Sequence, residues 1–593
     1  MVRTLKKNGR KLKINYKLCC KFFGHFSKYN TLFVPLSLMK FSNNILSHSI
    51  TQLCLANEID HIVISPGSRN APLIIDFTEQ PGFKCFSIVD ERCAAFFAIG
   101  LAQQLKKPVA VVCTSGSALL NYYPAIAEAF YSDIPLVIIS ADRPSHLLEI
   151  GDGQTIRQEN VFANHILCNA NCKDGDHVHT NEVIIDEALK TAIYQKGPVH
   201  INAPFSEPLY EQSAKSVLKK SEIAKEDSVS PKSSTEDLEP FAKKWNSSSR
   251  KMILVGVLDP ESVEQRFLNI LAKDESVIVL TEVTSNLHHN QFFPAIDQLI
   301  ASLNDDELKD LRPDILLTFG GMVVSKKIKA FLRKYSPREH WHIDAKKAYD
   351  TYFCLKEHFK TSPNEFFKIF STLTKEVSSA YQISWDEVKR HRLTRHNAFE
   401  KEVVYSDFKV FSEIFKTIPS QFQLQLGNSA TVRYAQLFDL EVSLRVFCNR
   451  GTSGIDGSLS TAIGAAYVSN LPTVFVTGDL SFLYDSNGLW NNYIPNSFRI
   501  VLINNGGGGI FRILPGAKRA EHFSDFFETK HSLTAEHLCT MYDIEYASAS
   551  DYKVMKLQLA KFYQESKRPK LIELFTPSDI NDQVLKDYFQ FIS

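Results

Sequence analysis

TVFVTGDLSFLYDSNGLWNNYIPNSFRIVLINNGGGGIF, from Thr473 to Phe511, is the stretch whose reading decides the fold. An apolar run ends at Gly478-Asp479, an amphipathic segment follows, and a second apolar run, 499–503, ends at Asn504-Asn505 and four glycines. The pattern predicts a strand–helix–strand unit with an acid closing one strand and an amide closing the next. In a parallel sheet both side chains leave the same carboxyl edge, where open α/β sheets bind ligands. Asp479, Asn505 and a carbonyl of the glycine run form an all-oxygen set that suits Mg²⁺ once phosphate oxygens join it. The plain alternative is a βαβ unit with an acid at a helix start and an Asn-Gly turn.

The rest of the chain repeats the theme. Apolar runs at 61–65, 85–89, 109–114, 136–140 and 198–203 alternate with helical stretches, as do runs at 252–258, 277–283, 315–319 and 340–343. A third set comprises 422–426, 445–448, 474–478, 499–503 and 570–575. Short buried strands between helices predict an α/β fold of doubly wound parallel sheets. At 593 residues the chain exceeds one core. The expected division is a first α/β domain at 39–212, a Ser/Lys/Glu-rich linker at 213–249, a central α/β domain at 250–384 and a third α/β domain at 385–593.

A formal net charge of +1 gives no general case for nucleic acid, and no apolar run reaches membrane-spanning length. The 11 cysteines include no C-x-x-C pair, which fits reduced thiols in the cytoplasm. Residues 1–38 are basic and free of Asp and Glu. They read either as a transit-like leader or as sequence upstream of a start at Met39, and the second reading is favoured.

Several turns at predicted strand ends carry candidate ligand groups. Pro66-Gly67-Ser68-Arg69-Asn70 can hold an anion or simply cap a helix. Glu91, in Asp90-Glu91-Arg92, is a helix-start acid that gains interest from the apolar helix it enters, since burial raises a carboxyl pKa. Gln154, Arg157 and Gln158 occupy a polar loop, and Gly320-Gly321 is a candidate phosphate cradle just before Lys326 and Lys327.

Asp-Glu-Arg after the second strand, together with Gly-Asp…Asn-Asn in the third domain, resembles thiamine-diphosphate enzymes of the pyruvate-oxidase-like branch. Leu480 stands where the third glycine of that motif is usual. ISPGSRNAPL (64–73), DERCAAFFAIGLA (90–102), TSGSALLNYYPAIAEA (114–129), ADRP (141–144), NRGTSGIDG (449–457) and NNGGGGIFRILP (504–515) resemble the menaquinone-biosynthesis group of that family.

The resemblance implies thiamine diphosphate held by Glu91, Ile455, Gly478, Asp479, Leu480, Ser481, Asn505 and Gly507. Mg²⁺ or Mn²⁺ would sit on Asp479, Asn505 and the Gly507 carbonyl. Glu91, Gln154 and Arg433 are the catalytic candidates. The implied reaction decarboxylates 2-oxoglutarate and adds the four-carbon remainder to isochorismate in a 1,4 sense. An acetolactate-synthase-type decarboxylase or carboligase is the alternative. Two dicarboxylates need fixed cations. Ser429, Arg433 and Arg450 are assigned mainly to 2-oxoglutarate, and Ser68, Arg69 and Gln154 to isochorismate, with Asn428 a further substrate-binding candidate. Arg143 and Arg157 are further candidates, Lys326 and Lys327 approach from the central domain, and Ile510, Phe511 and Leu514 form an apolar wall. The family also implies a homodimer or homotetramer with each site shared between subunits.

Overall fold

Three parallel sheets, each wrapped by helices, make up the computed structural model. It describes residues 40–175, 177–213, 235–513 and 520–593, with the short strands Lys6–Lys7 and Arg10–Lys11. Apart from those four residues the basic leader, and most of the expected linker, lie outside the described residues.

The first sheet contains β1 (His61–Ile64), β2 (Lys84–Ser87), β3 (Val109–Cys113), β4 (Leu136–Asp142), β5 (Cys168–Asn171) and β6 (Val199–Pro204), ordered β2-β1-β3-β4-β6-β5. The central sheet contains β7 (Lys251–Val255), β8 (Val277–Leu280), β9 (Ile315–Phe319), β10 (Glu339–Ile343) and β11 (Leu355–Phe359), ordered β8-β7-β9-β10-β11. The third contains β12 (Gln423–Leu426), β13 (Arg445–Cys448), β14 (Thr473–Gly478), β15 (Arg499–Asn504), β16 (Glu545–Ala549) and β17 (Lys570–Phe575). Its order, β13-β12-β14-β15-β17-β16, repeats that of the first sheet.

In both six-stranded sheets the winding direction reverses beside the first strand, between β1 and β3 and between β12 and β14. That switch point is where such sheets open a crevice for ligands. Gly67 follows β1 and lies so close to the loop after β3 that an added Cβ would fall 2.3 Å from Thr114 Cβ. Gly427 stands in the same relation to Thr477, with 2.6 Å to its Oγ1.

β5, β11 and β16 extend the predicted sheets. Each is an edge strand with one neighbour and carries polar residues, such as Asn169, Glu357 and Ser548, that break the apolar signal. The predicted cradle at Gly320-Gly321 is filled by the chain itself. Gly321 N–H donates to Val257 O at 2.8 Å, and a Cβ on Gly256 would fall 1.9 Å from Gly321 O. These glycines serve close backbone packing, which overturns the phosphate reading.

The first and third domains meet through two helices, Glu91–Leu105 and Ser458–Val468. Asp90 caps the first by accepting Cys93 N–H at 3.1 Å, and Lys106 ends it in the left-handed region at φ 57°. Cys93 through Ala102 are all buried, as expected for a helix apolar around its full circumference. The contact is backbone to backbone. A Cβ on Gly100 would lie 2.1 Å from Thr461 O, and one on Gly464 would lie 2.1 Å from Phe97 O. Gly464→Ala is therefore expected to cost about 3 kcal/mol, the upper range for overpacking, and to lower the melting temperature in a thermal scan.

Burial pulls the His200 imidazole down to about 3 and those of His340 and His342 to about 4. An unfolded histidine titrates near 6.5, so below that pH the unfolded chain binds more protons. The stability these groups contribute is complete above about pH 6.5 and drains as the pH falls toward 4. Between pH 6.5 and 5.5 His200→Gln should lose about 1 kcal/mol less than the parent in urea unfolding.

Candidate active site

Asp479 leaves the end of β14 at the first position of the helix Asp479–Tyr484. Its Oδ1 accepts Leu480 N–H at 2.7 Å and its Oδ2 accepts Gly507 N–H at 3.0 Å, which ties the two ends of the opening motif together. Burial pushes its carboxyl upward, and the backbone donors and His531 oppose that. Gly506 at φ +73° and Gly507 at φ +150° bring the backbone under the carboxylate, and a Cβ on Gly507 would lie 2.6 Å from Glu528 O.

Asn505 completes the corner. Its Nδ2 donates to Asp407 Oδ2 at 3.0 Å, while its Oδ1 is buried with no hydrogen-bond partner. An orphaned buried acceptor beside a carboxylate fits a missing hard cation. Asp407 is itself buried and raised to about 6 by that burial; its Oδ1 accepts Thr576 Oγ1 at 2.5 Å. Ser481 Oγ donates to Ile455 O at 2.7 Å, fixing the apolar Ile455 next to the motif. Around Gly478 a Cβ would meet nothing, so space is open there. The donor set thus fits a divalent cation with a diphosphate.

His531 was not legible as a site residue. Its Nδ1 accepts Leu533 N–H at 3.1 Å, which leaves the proton on Nε2, 3.3 Å from Asp479 Oδ2.

The cationic part of the site surrounds Arg433 and Arg450. Arg450 Nη1 donates to Asn428 Oδ1 at 2.7 Å, and its Nε is buried without a partner. Asn428 Nδ2 holds Asn449 O and Gly454 O, both at 2.7 Å. Arg433 donates to the Ser429 carbonyl, with Ser429 at φ +67°. Burial and then the neighbouring Arg450 pull the Arg433 pKa down. Two guanidinium groups that act on one another, one with a buried unpartnered Nε, fit an anion.

From the central domain, Ser325 caps the helix Lys326–Lys334. Lys326 and Lys327 are exposed, and Lys327 Nζ sits 5.1 Å from the Phe589 ring centroid. The cation that senses Arg450 and the buried Glu282 is Lys329, pulled down by burial. Glu282 is pushed up to about 7 by burial and accepts Val324 N–H at 2.7 Å and Ser325 N–H at 2.8 Å.

In the first domain Glu91 Oε2 accepts Asn121 Nδ2–H at 3.1 Å. Ser68 Oγ lies 3.0 Å from Tyr210 Oη. Arg69 pairs with Glu207 at 3.1 Å, Arg143 with Asp152 at 3.3 Å, and the exposed Arg157 with Glu149 at 2.6 Å. The Gln154 side chain is exposed, and its carbonyl accepts Ser115 Oγ–H at 2.9 Å. Gln158 does not face a ligand. It is buried, donating to Ala141 O and Asn202 Oδ1 and accepting Gly116 N–H, so its role is to brace the loop.

Ile510 and Phe511 lie on the short helix Ile510–Ile513, with Phe511 6.1 Å from Phe527, and Leu514 lies outside the described residues. Among the described residues no hydrogen bond or ion pair joins Glu91 to Asp479, Asn505 or Gly507.

The motifs 64–73 and 114–118 flank one switch point, and 427–429 and 478–481 flank the other. A thiamine pyrophosphate enzyme N-terminal TPP binding domain model matches residues 46–165, and a model described as the middle domain of thiamine pyrophosphate matches 225–426. The 2-succinyl-5-enolpyruvyl-6-hydroxy-3-cyclohexene-1-carboxylate synthase of Flavobacterium johnsoniae is 54% identical over 92% of this chain and 98% of its own. That of Christiangramia forsetii is 55% identical over 93% and 100%.

This chain belongs to that synthase family.

A 37% identical relative of the same name from Porphyromonas gingivalis covers 90% of this chain and 95% of its own. The crystal structure of benzoylformate decarboxylase from Polynucleobacter necessarius shares the fold, with a TM-score of 0.66 at 13% identity over 90% of this chain and 98% of that one. The chain thus shares its three-domain α/β frame with that decarboxylase, and two of the domains match thiamine pyrophosphate enzyme models.

One further side chain bridges the domains. Glu128 is buried and accepts Gly451 N–H at 2.7 Å, Thr452 N–H at 2.7 Å and Thr452 Oγ1–H at 2.8 Å. It anchors, from the first domain, the loop that carries Arg450. Hydrogen bonds to a charged group contribute about 1.5–3 kcal/mol. Glu128→Ala should therefore cost about 3 kcal/mol in chemical unfolding.

Proposed function

We propose that the chain decarboxylates 2-oxoglutarate on thiamine diphosphate and joins the remaining four-carbon unit to isochorismate, yielding 2-succinyl-5-enolpyruvyl-6-hydroxy-3-cyclohexene-1-carboxylate for menaquinone biosynthesis. The observation that carries the substrate class is the Arg433–Arg450 pair with its unpartnered Arg450 Nε. A 2-oxoacid with a second carboxylate can use both guanidinium groups, whereas pyruvate has one carboxylate to offer. Bidentate guanidinium contacts give direction as well as attraction.

The bound cofactor supplies the carbon nucleophile and the electron sink. Glu91 holds a proton against ring nitrogen N1′ of the aminopyrimidine, with Asn121 fixing the other face of its carboxyl. Asp479, Asn505 Oδ1 and the Gly507 backbone would hold Mg²⁺ or Mn²⁺, which would supply positive charge for the diphosphate. Ile455 would give the cofactor apolar support. Arg433 and Arg450 orient the distal carboxylate of 2-oxoglutarate. Ser68, Arg69 and Gln154 receive isochorismate, with Arg143 and Arg157 nearby in sequence and Ile510 and Phe511 as the apolar wall.

A site shared between subunits follows from the family reading. Glu91 of one subunit then faces Asp479 of another, with a homodimer as the minimum and a homotetramer as its doubling. Among the described residues no helix is long and apolar enough to cross a membrane, and none of the nine free cysteines pairs, which supports a cytoplasmic setting.

With thiamine diphosphate and Mg²⁺, 2-oxoglutarate should be consumed fastest when isochorismate is present, and pyruvate should not replace it. Preference for pyruvate would instead mark an acetolactate-type enzyme. Glu91→Gln should retain cofactor affinity in calorimetry while losing most turnover. Arg433→Ala should lower kcat/KM for 2-oxoglutarate by about one to two decades, the equivalent of one charge-assisted contact, with thiamine diphosphate affinity unchanged.

A further inference from the structure

We infer that Asp407, outside every motif that marks the site, is the positioning residue that aims the Asn505 amide oxygen at the divalent cation. The inference rests on the metal reading proposed above.

The argument starts from what each atom can do. A carboxylate only accepts hydrogen bonds, whereas an amide has one end that donates and one that accepts. Asp407 is buried, and its Oδ2 lies 3.0 Å from Asn505 Nδ2. Turning the amide over would set its oxygen against the carboxylate oxygen, acceptor to acceptor. The carboxylate therefore selects one orientation, with Nδ2 toward Asp407 and Oδ1 turned away from it. That Oδ1 is buried and has no partner in the protein.

Asp407 is itself locked. It is the first residue of the helix Asp407–Thr417, its backbone N–H donates to Asn581 Oδ1 at 2.8 Å, and its other carboxylate oxygen accepts Thr576 Oγ1–H at 2.5 Å. Thr576 follows β17, whose neighbour β15 delivers Asn505, so the brace and the ligand hang from adjacent strands. No lysine or arginine pairs with Asp407 or Asp479 among the described residues. Two buried acids that act on one another thus bracket the amide, an arrangement that a divalent cation relieves. Partners that orient a metal ligand are commonly worth 10–100-fold in metal affinity.

The test uses the full chain with thiamine diphosphate and follows Mn²⁺ binding by the electron paramagnetic resonance of the free ion. Asp407→Asn should weaken Mn²⁺ binding about 10–100-fold, because two amides no longer dictate which end faces the cation. The exchange variant D407N/N505D restores one amide donating to one carboxylate and leaves a carboxylate oxygen for the metal. It should recover binding to within about tenfold of the parent. Parent-like affinity in Asp407→Asn would overturn the inference, as would an exchange variant no better than the single one. Should Asp407→Asn not fold, the exchange variant decides alone against the same tenfold limit. Failure of the parent to bind Mn²⁺, or unchanged binding in Asp479→Ala, would instead overturn the metal reading itself.

Discussion

The helices Glu91–Leu105 and Ser458–Val468 approach until each backbone touches the other, at Gly100 and Gly464. Interiors pack at crystal-like density, so a contact this close fixes the relative placement of the two domains within a narrow range. Both helices start at or beside residues proposed to hold the cofactor. Glu91 is the first residue of one, and Ile455 lies just before the other. Asp485 joins the two starts by accepting Ser460 N–H at 2.7 Å while lying 4.0 Å from Arg92. The packing that stabilises the chain therefore also fixes where Glu91 and Ile455, proposed as cofactor residues, lie relative to one another within it.

Much of this was legible in the sequence. Core strands such as Val109–Cys113 and Ile315–Phe319 are short, β-branched and buried, and their apolar runs mark them nearly to the residue. β5, β11 and β16 were not legible, because an edge strand meets water along one side and carries the polar residues of a loop. At the site, residues that act through their own local turn were readable. Asp479 and Asn505 close strands, Glu91 opens a helix, and Ser481 follows its motif directly.

The missed residues act across the chain. Glu128 binds a loop 323 residues away, and Asp407 reaches Asn505 over 98. Each looks in sequence like an ordinary helical acid. Burial and partner choice, which only the fold supplies, separate them from the many acids that face solvent. Lys329 shows the converse. The conspicuous Lys326-Lys327 pair drew attention, yet helix geometry turns Lys327 toward Phe589 and leaves a lysine further along in contact with the field of Arg450 and Glu282.

The first-domain arginines are each already neutralised by a loop acid, Arg69 by Glu207, Arg143 by Asp152 and Arg157 by Glu149. A substrate carboxylate received by one of these arginines, as proposed, would displace a tethered acid, so the net Coulomb gain would be small and selectivity would pass to how well the substrate's carboxylates match the guanidinium forks. Stray phosphate or acetate, matching only one fork, would gain little by the exchange.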